Sequence, residues 1–131
     1  MPRILIVDDE DSVCQMLRDV LEDEGYRVEI ALDGHEALRK MKSLDIDAVL
    51  LDIRMPGLDG MQVLKLAQEA GITVPVVLIT AYGTTETAIQ AMKLGAFDYV
   101  LKPFNIEELL MTIKKAVEME RLASELAALR Q

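Results

Sequence analysis

Tryptophan is absent from this 131-residue chain, aromatic residues make up only 4% of it, and cysteine occurs once. A single thiol closes no internal disulfide, and nothing around Cys14 has the spacing of a zinc ligand set, so a reducing, cytoplasmic setting is expected. So few aromatics leave little platform for stacked bases. Basic residues are also scarce: 14 Lys and Arg stand against 23 Asp and Glu, for a net charge of −9. Binding to a phosphate backbone needs clustered cations, so direct nucleic-acid contact by this domain is not expected. No apolar run approaches the roughly 20 residues of a membrane span. The N-terminal run Ile4–Val7 stops at acids, too short for a signal peptide. No glycine-rich loop follows that run and no GxxxxGK[ST] motif occurs, which argues against dinucleotide and P-loop sites.

What is present is alternation. The length suits one domain with one sizeable core. Five short apolar runs recur at fairly even spacing: Ile4–Val7, Tyr26–Ile30, Ala48–Leu51, Val74–Thr80 and Phe97–Leu101. Helical periodicity fills the gaps. Asp11–Glu24 puts Val13, Met16, Leu17, Val20 and Leu21 on one face and stops at Gly25. Asp33 can cap a helix carrying Ala37, Leu38 and Met41, and Asp59 one carrying Val63, Leu64 and Ala67 that ends at Gly71. A fourth helix would carry Ala88, Ile89, Met92 and Leu94 and stop at Gly95; a fifth begins near Asn105. Strand then helix, five times, with strands apolar on both faces, predicts an α/β fold with a parallel sheet covered on both sides.

In such sheets ligands bind beyond the carboxyl ends of the strands, where strand order reverses. The polar residues there are Asp8 and Asp9 after the first run, Asp52 after the third, Thr80 ending the fourth and Lys102 after the fifth. The second run is followed by nothing of that kind before Asp33, as fits an edge strand outside the site. The acidity is concentrated in the same half: residues 1–60 hold 15 acidic and 7 basic residues, residues 61–131 hold 8 and 7. Converging carboxylates repel unless a cation joins them, and a few carboxylates with a phosphate are the usual company of Mg²⁺. Lys102 and Thr80 would suit the non-bridging oxygens of a phosphoryl group, and a carboxylate held among them can accept phosphoryl. Asp52 is the best candidate, with the run Ala-Val-Leu-Leu behind it and an open turn, Arg54-Met55-Pro56-Gly57, ahead. Taken singly, each residue has a plainer role: a helix cap for Asp9 or Asp11, a strand-end threonine, a solvated lysine. Their joint placement carries the inference.

The sequence resembles the receiver domain of two-component response regulators. The motifs are ILIVDDE at 4–10, LLDIRMPGLDG at 50–60, LITAY at 78–82 and GAFDYVLKPF at 95–104, covering residues 3 to about 118 in order. The resemblance implies a flavodoxin-like (CheY-like), doubly wound, five-stranded sheet of order 2-1-3-4-5. It implies that Asp52 is the phosphoacceptor, charged by a sensor histidine kinase, with Mg²⁺ held by Asp9 directly, by Asp8 through water, and by Asp52 and the Arg54 backbone carbonyl. Thr80 and Lys102 would hold the phosphoryl oxygens, Lys102-Pro103 would be a cis peptide, and Thr80 with Tyr99 would form the switch altering the face made by helix 4, strand 5 and helix 5. Small Ala81 should leave the site open.

The last helix reads differently from the rest. Positions 106, 110, 113 and 117 form a stripe to pack on the sheet. Beyond them Met119, Leu122, Leu126 and Leu129 follow coiled-coil spacing. The expected division is a receiver at 1–118 and a linker helix at 119–131, with a homodimer formed through this helix or the helix 4–strand 5–helix 5 face. A charged, Leu-spaced helix after a receiver is similar to the regulatory module of NtrC and DctD-type sigma-54-dependent activators, which implies downstream ATPase and DNA-binding domains in a longer protein. A stand-alone receiver, or a different output, is the rival reading. An aspartyl-phosphate phosphatase is disfavoured because the position two beyond Asp52 is Arg54 rather than an acid. The chain is therefore expected to act as a phosphorylated switch and not as an enzyme. Cys14 reads as a packing residue, His35 as surface.

Overall fold

A computed structural model describes residues 1–81 and 85–129. Five strands and five helices alternate: β1 (Arg3–Val7), α1 (Asp11–Asp23), β2 (Arg27–Ala31), α2 (Gly34–Ser43), β3 (Ala48–Asp52), α3 (Gly60–Glu69), β4 (Val76–Thr80), α4 (Thr85–Lys93), β5 (Asp98–Leu101) and α5 (Ile106–Leu129). All strand pairs are parallel, in the order β2-β1-β3-β4-β5. β2 lies at one edge, as its lack of following polar residues predicted. The fourth strand starts later than the apolar run that announced it, since Pro75 has no N–H to give a ladder.

Side-chain alternation divides the core. Ile4, Ile6, Ala48, Leu50, Val77 and Ile79 face α1 and α5, meeting Cys14, Leu17, Leu21, Leu109 and Ile113. Leu5, Val7, Val49, Leu51, Val76 and Leu78 face α2, α3 and α4. Every residue of β3 and β4 is buried, as a sheet covered on both sides requires. Several helix ends form as the sequence foretold. Asp33 accepts from Glu36 N at 2.8 Å, Asp59 and Gln62 form a reciprocal capping box, and Asn105 accepts from Glu107 N at 2.8 Å. Gly25 takes φ +92° just past α1, a conformation open to glycine.

Three helix faces are rotated from their predicted phase. In α1 the buried row is Cys14, Leu17 and Leu21, while Met16 is exposed. In α4 the inward residue is Ala91, and Ile89 and Met92 face outward. In α5 the buried residues are Leu109, Thr112, Ile113 and Ala116, with Ile106 exposed. In each helix a small or weakly polar side chain, Cys14, Ala91, or Thr112 with Ala116, takes part of the inner face, while Val13, Leu110 and Val117 of the predicted stripes pack at its border. α5 continues without a break past residue 118, and Met119, Leu122, Leu126 and Leu129 are all exposed along it. Residues 130 and 131, the end of the expected linker, and Tyr82, the end of the LITAY motif, lie outside the described residues.

Candidate functional site

Strand register builds the site. Val7 pairs with Leu51, Asp52 with Ile79 and Thr80 with Leu101. The next residues along β1 and β5 are Asp8 and Lys102, so four of the five predicted side chains fall within two residues of one level at the carboxyl edge. Asp9 joins them from the β1–α1 turn. Carboxylate oxygens of Asp8, Asp9 and Asp52 all lie within 4.8 Å of one another. Lys102 Nζ stands 3.7 Å from Asp52 Oδ2 and 3.8 Å from Asp8 Oδ2. Backbone bonds extend the rows past the strands: Ile53 N donates to Ile79 O at 3.1 Å, and Lys102 N to Thr80 O at 2.8 Å.

The acids after β1 are not consumed by helix capping. The N-cap of α1 is Glu10, whose side chain makes no capping bond. Asp8 Oδ1 instead accepts from Glu10 N at 2.9 Å, and the Asp8 carbonyl accepts from Cys14 Sγ at 3.4 Å. Asp9 is exposed at the mouth, with Asp8 and Asp52 buried behind it. Burial pushes the Asp8 carboxyl up to about 6, with the charges of Asp52 and Asp9 adding to the rise and the Glu10 N–H and Lys102 opposing it. Burial likewise raises Asp52, against the pull of Lys102 and of Arg54 N, which donates to Asp52 Oδ1 at 3.3 Å.

This donor set fits a hard divalent cation. Oxygens of three carboxylates converge, Lys102 stands near two of them, and burial with mutual repulsion holds Asp8 and Asp52 above their ordinary range, a cost that a bound cation would offset. The loop that follows β3 lines an open cleft of about 460 Å³ with Ile53, Arg54, Met55, Pro56 and Asp59. Thr80 is buried at the end of β4, and Ala81 after it is exposed. Lys102-Pro103 is cis. Tyr99 is 39% exposed on β5, beside the outward Leu101.

Two close approaches escaped sequence reasoning. A Cβ on Gly60 would lie 2.5 Å from the Asp52 carbonyl oxygen, and one on Gly34 would lie 2.8 Å from the Leu58 carbonyl oxygen. The glycine of Leu-Asp-Gly at 58–60 carried a signal as part of a motif, yet its physical demand shows only once α3 is set against β3.

A doubly wound α/β domain with an acidic cluster and a lysine at its switch point is the architecture of receivers, and the comparisons agree. Residues 4–114 match the response regulator receiver domain, so the chain belongs to that family. It is 42% identical over 129 residues to the regulatory protein AtoC of Escherichia coli, covering 98% of this chain and 28% of that protein. With the transcriptional regulatory protein ZraR of Klebsiella oxytoca identity is 41% over 120 residues, covering 92% and 27%. The chain thus spans about a quarter of the length of these curated relatives. Among solved structures, the NtrX receiver domain from Brucella abortus superposes with TM-score 0.81 at 35% identity, covering 88% of this chain and 98% of that one. The Vibrio cholerae chemotaxis protein CheY4 gives TM-score 0.83 at 34% identity, covering 88% and 98%. Among the described residues no helix is long and apolar enough to cross a membrane.

Proposed function

We propose that this receiver takes a phosphoryl group onto Asp52 from a phosphohistidine of a sensor kinase, with Mg²⁺ bound, and thereby switches a surface that controls an output domain. The observation that carries this is the grouping of Asp52 with Asp8, Asp9 and Lys102, two of the carboxylates buried and Asp9 exposed beside them. An Asp52 carboxylate oxygen attacks phosphorus, a P–O bond forms and the P–N bond breaks. Its electron pair returns to the imidazole nitrogen, which ends protonated at the expense of solvent. Asp9, Asp8, Asp52 and the Arg54 carbonyl would hold the metal, which when bound offsets the charge of the transferring oxygens. Lys102 supplies a fixed ammonium on the other side, and the Thr80 hydroxyl a donor.

The readout lies on α4, β5 and α5. Ile89, Met92, Tyr99 and Leu101 are exposed apolar side chains of these elements, a surface suited to contacts that differ between two states. Thr80 drawn toward the phosphoryl group, with Tyr99 following, is the coupling. The α5 stripe Met119–Leu129 would pair with a second copy. The resemblance to NtrC and DctD-type proteins, together with a transcriptional regulatory protein among the relatives, supports a sigma-54-dependent activator as the output, and membership of the receiver family supports the cytoplasm as its place.

Incubation with Mg²⁺ and a small phosphoryl donor, followed by intact-mass measurement, tests the assignment. A phosphate-sized gain that vanishes in Asp52→Asn is expected. No gain, or an undiminished gain in Asp52→Asn, overturns it.

A further inference from the structure

Gly60 is pressed against the strand that carries Asp52. Its N–H donates to Ile53 O at 2.8 Å, closing the loop of residues 53–60 onto its own root. A Cβ there would lie 2.5 Å from Asp52 O and 2.7 Å from Ile53 Cα. Both are backbone atoms, which cannot swing aside as a flexible side chain can. Neither neighbour yields easily. The Ile53 peptide is tied to β4 through Ile79 O at 3.1 Å. The first turn of α3 is stiffened by the Asp59–Gln62 capping box, with both bonds at 2.9 Å.

The loop so clamped begins with Arg54. Its N–H reaches Asp52 Oδ1 at 3.3 Å, and its carbonyl belongs to the metal-binding set of the proposed function. A side chain at position 60 must therefore move either α3 or the Asp52–Ile53 peptide, and the second displaces two of the oxygen donors together. We infer that Gly60 is a positioning residue: the missing side chain seats α3 against the Asp52 peptide and so fixes Asp52 Oδ1 and the Arg54 carbonyl for a divalent cation. This inference rests on the phosphoacceptor reading.

The test is Mg²⁺ titration by calorimetry, at a temperature where every variant is folded by circular dichroism. Gly60→Ala is expected to raise the Mg²⁺ dissociation constant about 10–100-fold, the range for groups that orient metal ligands. Ala67→Gly loosens the same helix at a buried site about two turns beyond Gly60, and should leave the constant within about twofold, because helix stability alone does not set ligand geometry. Equal rises in the two variants, or wild-type affinity in Gly60→Ala, overturn the inference. Should Gly60→Ala not fold, Gln62→Ala carries the test, since it frees the first turn of α3 without adding a Cβ. A rise above the Ala67→Gly level supports the inference and no rise overturns it. Mass measurement on the wild-type chain separates the two readings. Without a phosphate gain there, the phosphoacceptor reading falls and takes this inference with it; with the gain and an unaltered Gly60→Ala, the inference alone falls.

Discussion

Lys102 Nζ lies 3.7 Å from Asp52 Oδ2, reaching it across the end of β4. The same ammonium stands 3.8 Å from Asp8 Oδ2, so one cation serves two carboxylates at distances longer than a direct hydrogen bond. Neither acid is fully compensated, and burial raises both. In the proposed function a divalent cation would add positive charge among the three carboxylates, and phosphoryl oxygens would meet Lys102. Removing the ammonium should therefore affect chemistry more than folding. Lys102→Met is expected to slow phosphate gain at saturating Mg²⁺ about 10²-fold, the usual cost of losing one preorganised charge partner. Time-resolved intact mass checks this, and a rate within threefold of wild type would remove Lys102 from the mechanism.

Asp8 makes the metal-free fold sensitive to pH. Its folded-state value is raised from 3.8 to about 6, so between those limits the folded chain binds more protons than the unfolded one. Stability then falls as pH rises through the window, and the loss is complete above the folded value. At about 1.4 kcal/mol per unit this amounts to about 3 kcal/mol at most, with Asp52 acting in the same direction. Urea unfolding in chelator at pH 5 and pH 7.5 should show the more acidic sample to be the more stable. Asp8→Asn, which keeps an oxygen for Glu10 N, should flatten the dependence and raise metal-free stability at pH 7.5, while weakening Mg²⁺ binding. Added Mg²⁺ should stabilise the wild-type chain chiefly at the higher pH, by binding the ionised form.

Tyr99 offers a direct view of switching, because the chain has no tryptophan and three tyrosines. The ring is 39% exposed in the structure. In a Tyr26→Phe, Tyr82→Phe background, phosphorylation is expected to lower acrylamide quenching of the remaining tyrosine, and Thr80→Ala to abolish that change while Asp52 still gains phosphate. Quenching that falls equally in Thr80→Ala would uncouple Tyr99 from Thr80.

How far the sequence foretold these features depends on what each rests on. Apolar runs and caps are local, so the strands and the capped helix starts of α2, α3 and α5 were legible to within a residue or two. The grouping of Asp8, Asp52, Thr80 and Lys102 was legible because parallel strands in near register bring their ends together. Helix faces were less so. Apolar residues on α4 outnumber the places beside the sheet, and periodicity alone does not say whether Ala91 or Met92 takes the inner one. The seat of Gly60 was hidden for another reason: it depends on a clearance between a strand end and a helix start eight residues apart along the chain.

The outward row on α5 sets the last prediction. Met119, Leu122, Leu126 and Leu129 are each about half exposed or more, on a helix that runs unbroken from Ile106 to Leu129. Their 3-4-3 spacing aligns them on one side, so a second copy could bury all four at once. Burying a leucine yields about 1.5–3 kcal/mol, and replacing two by a charge should remove most of the gain from pairing. Leu122→Glu with Leu126→Glu is expected to raise the dimer dissociation constant at least about tenfold, as measured by sedimentation equilibrium. Both positions are exposed and outside the two core clusters, so the thermal transition of the receiver body should stay within a few degrees of wild type. Truncation after Glu118 should act in the same direction. If the double variant and the truncated chain sediment as the wild-type chain does, self-association does not pass through this helix, and any dimer must use the exposed surface of α4 and β5 instead.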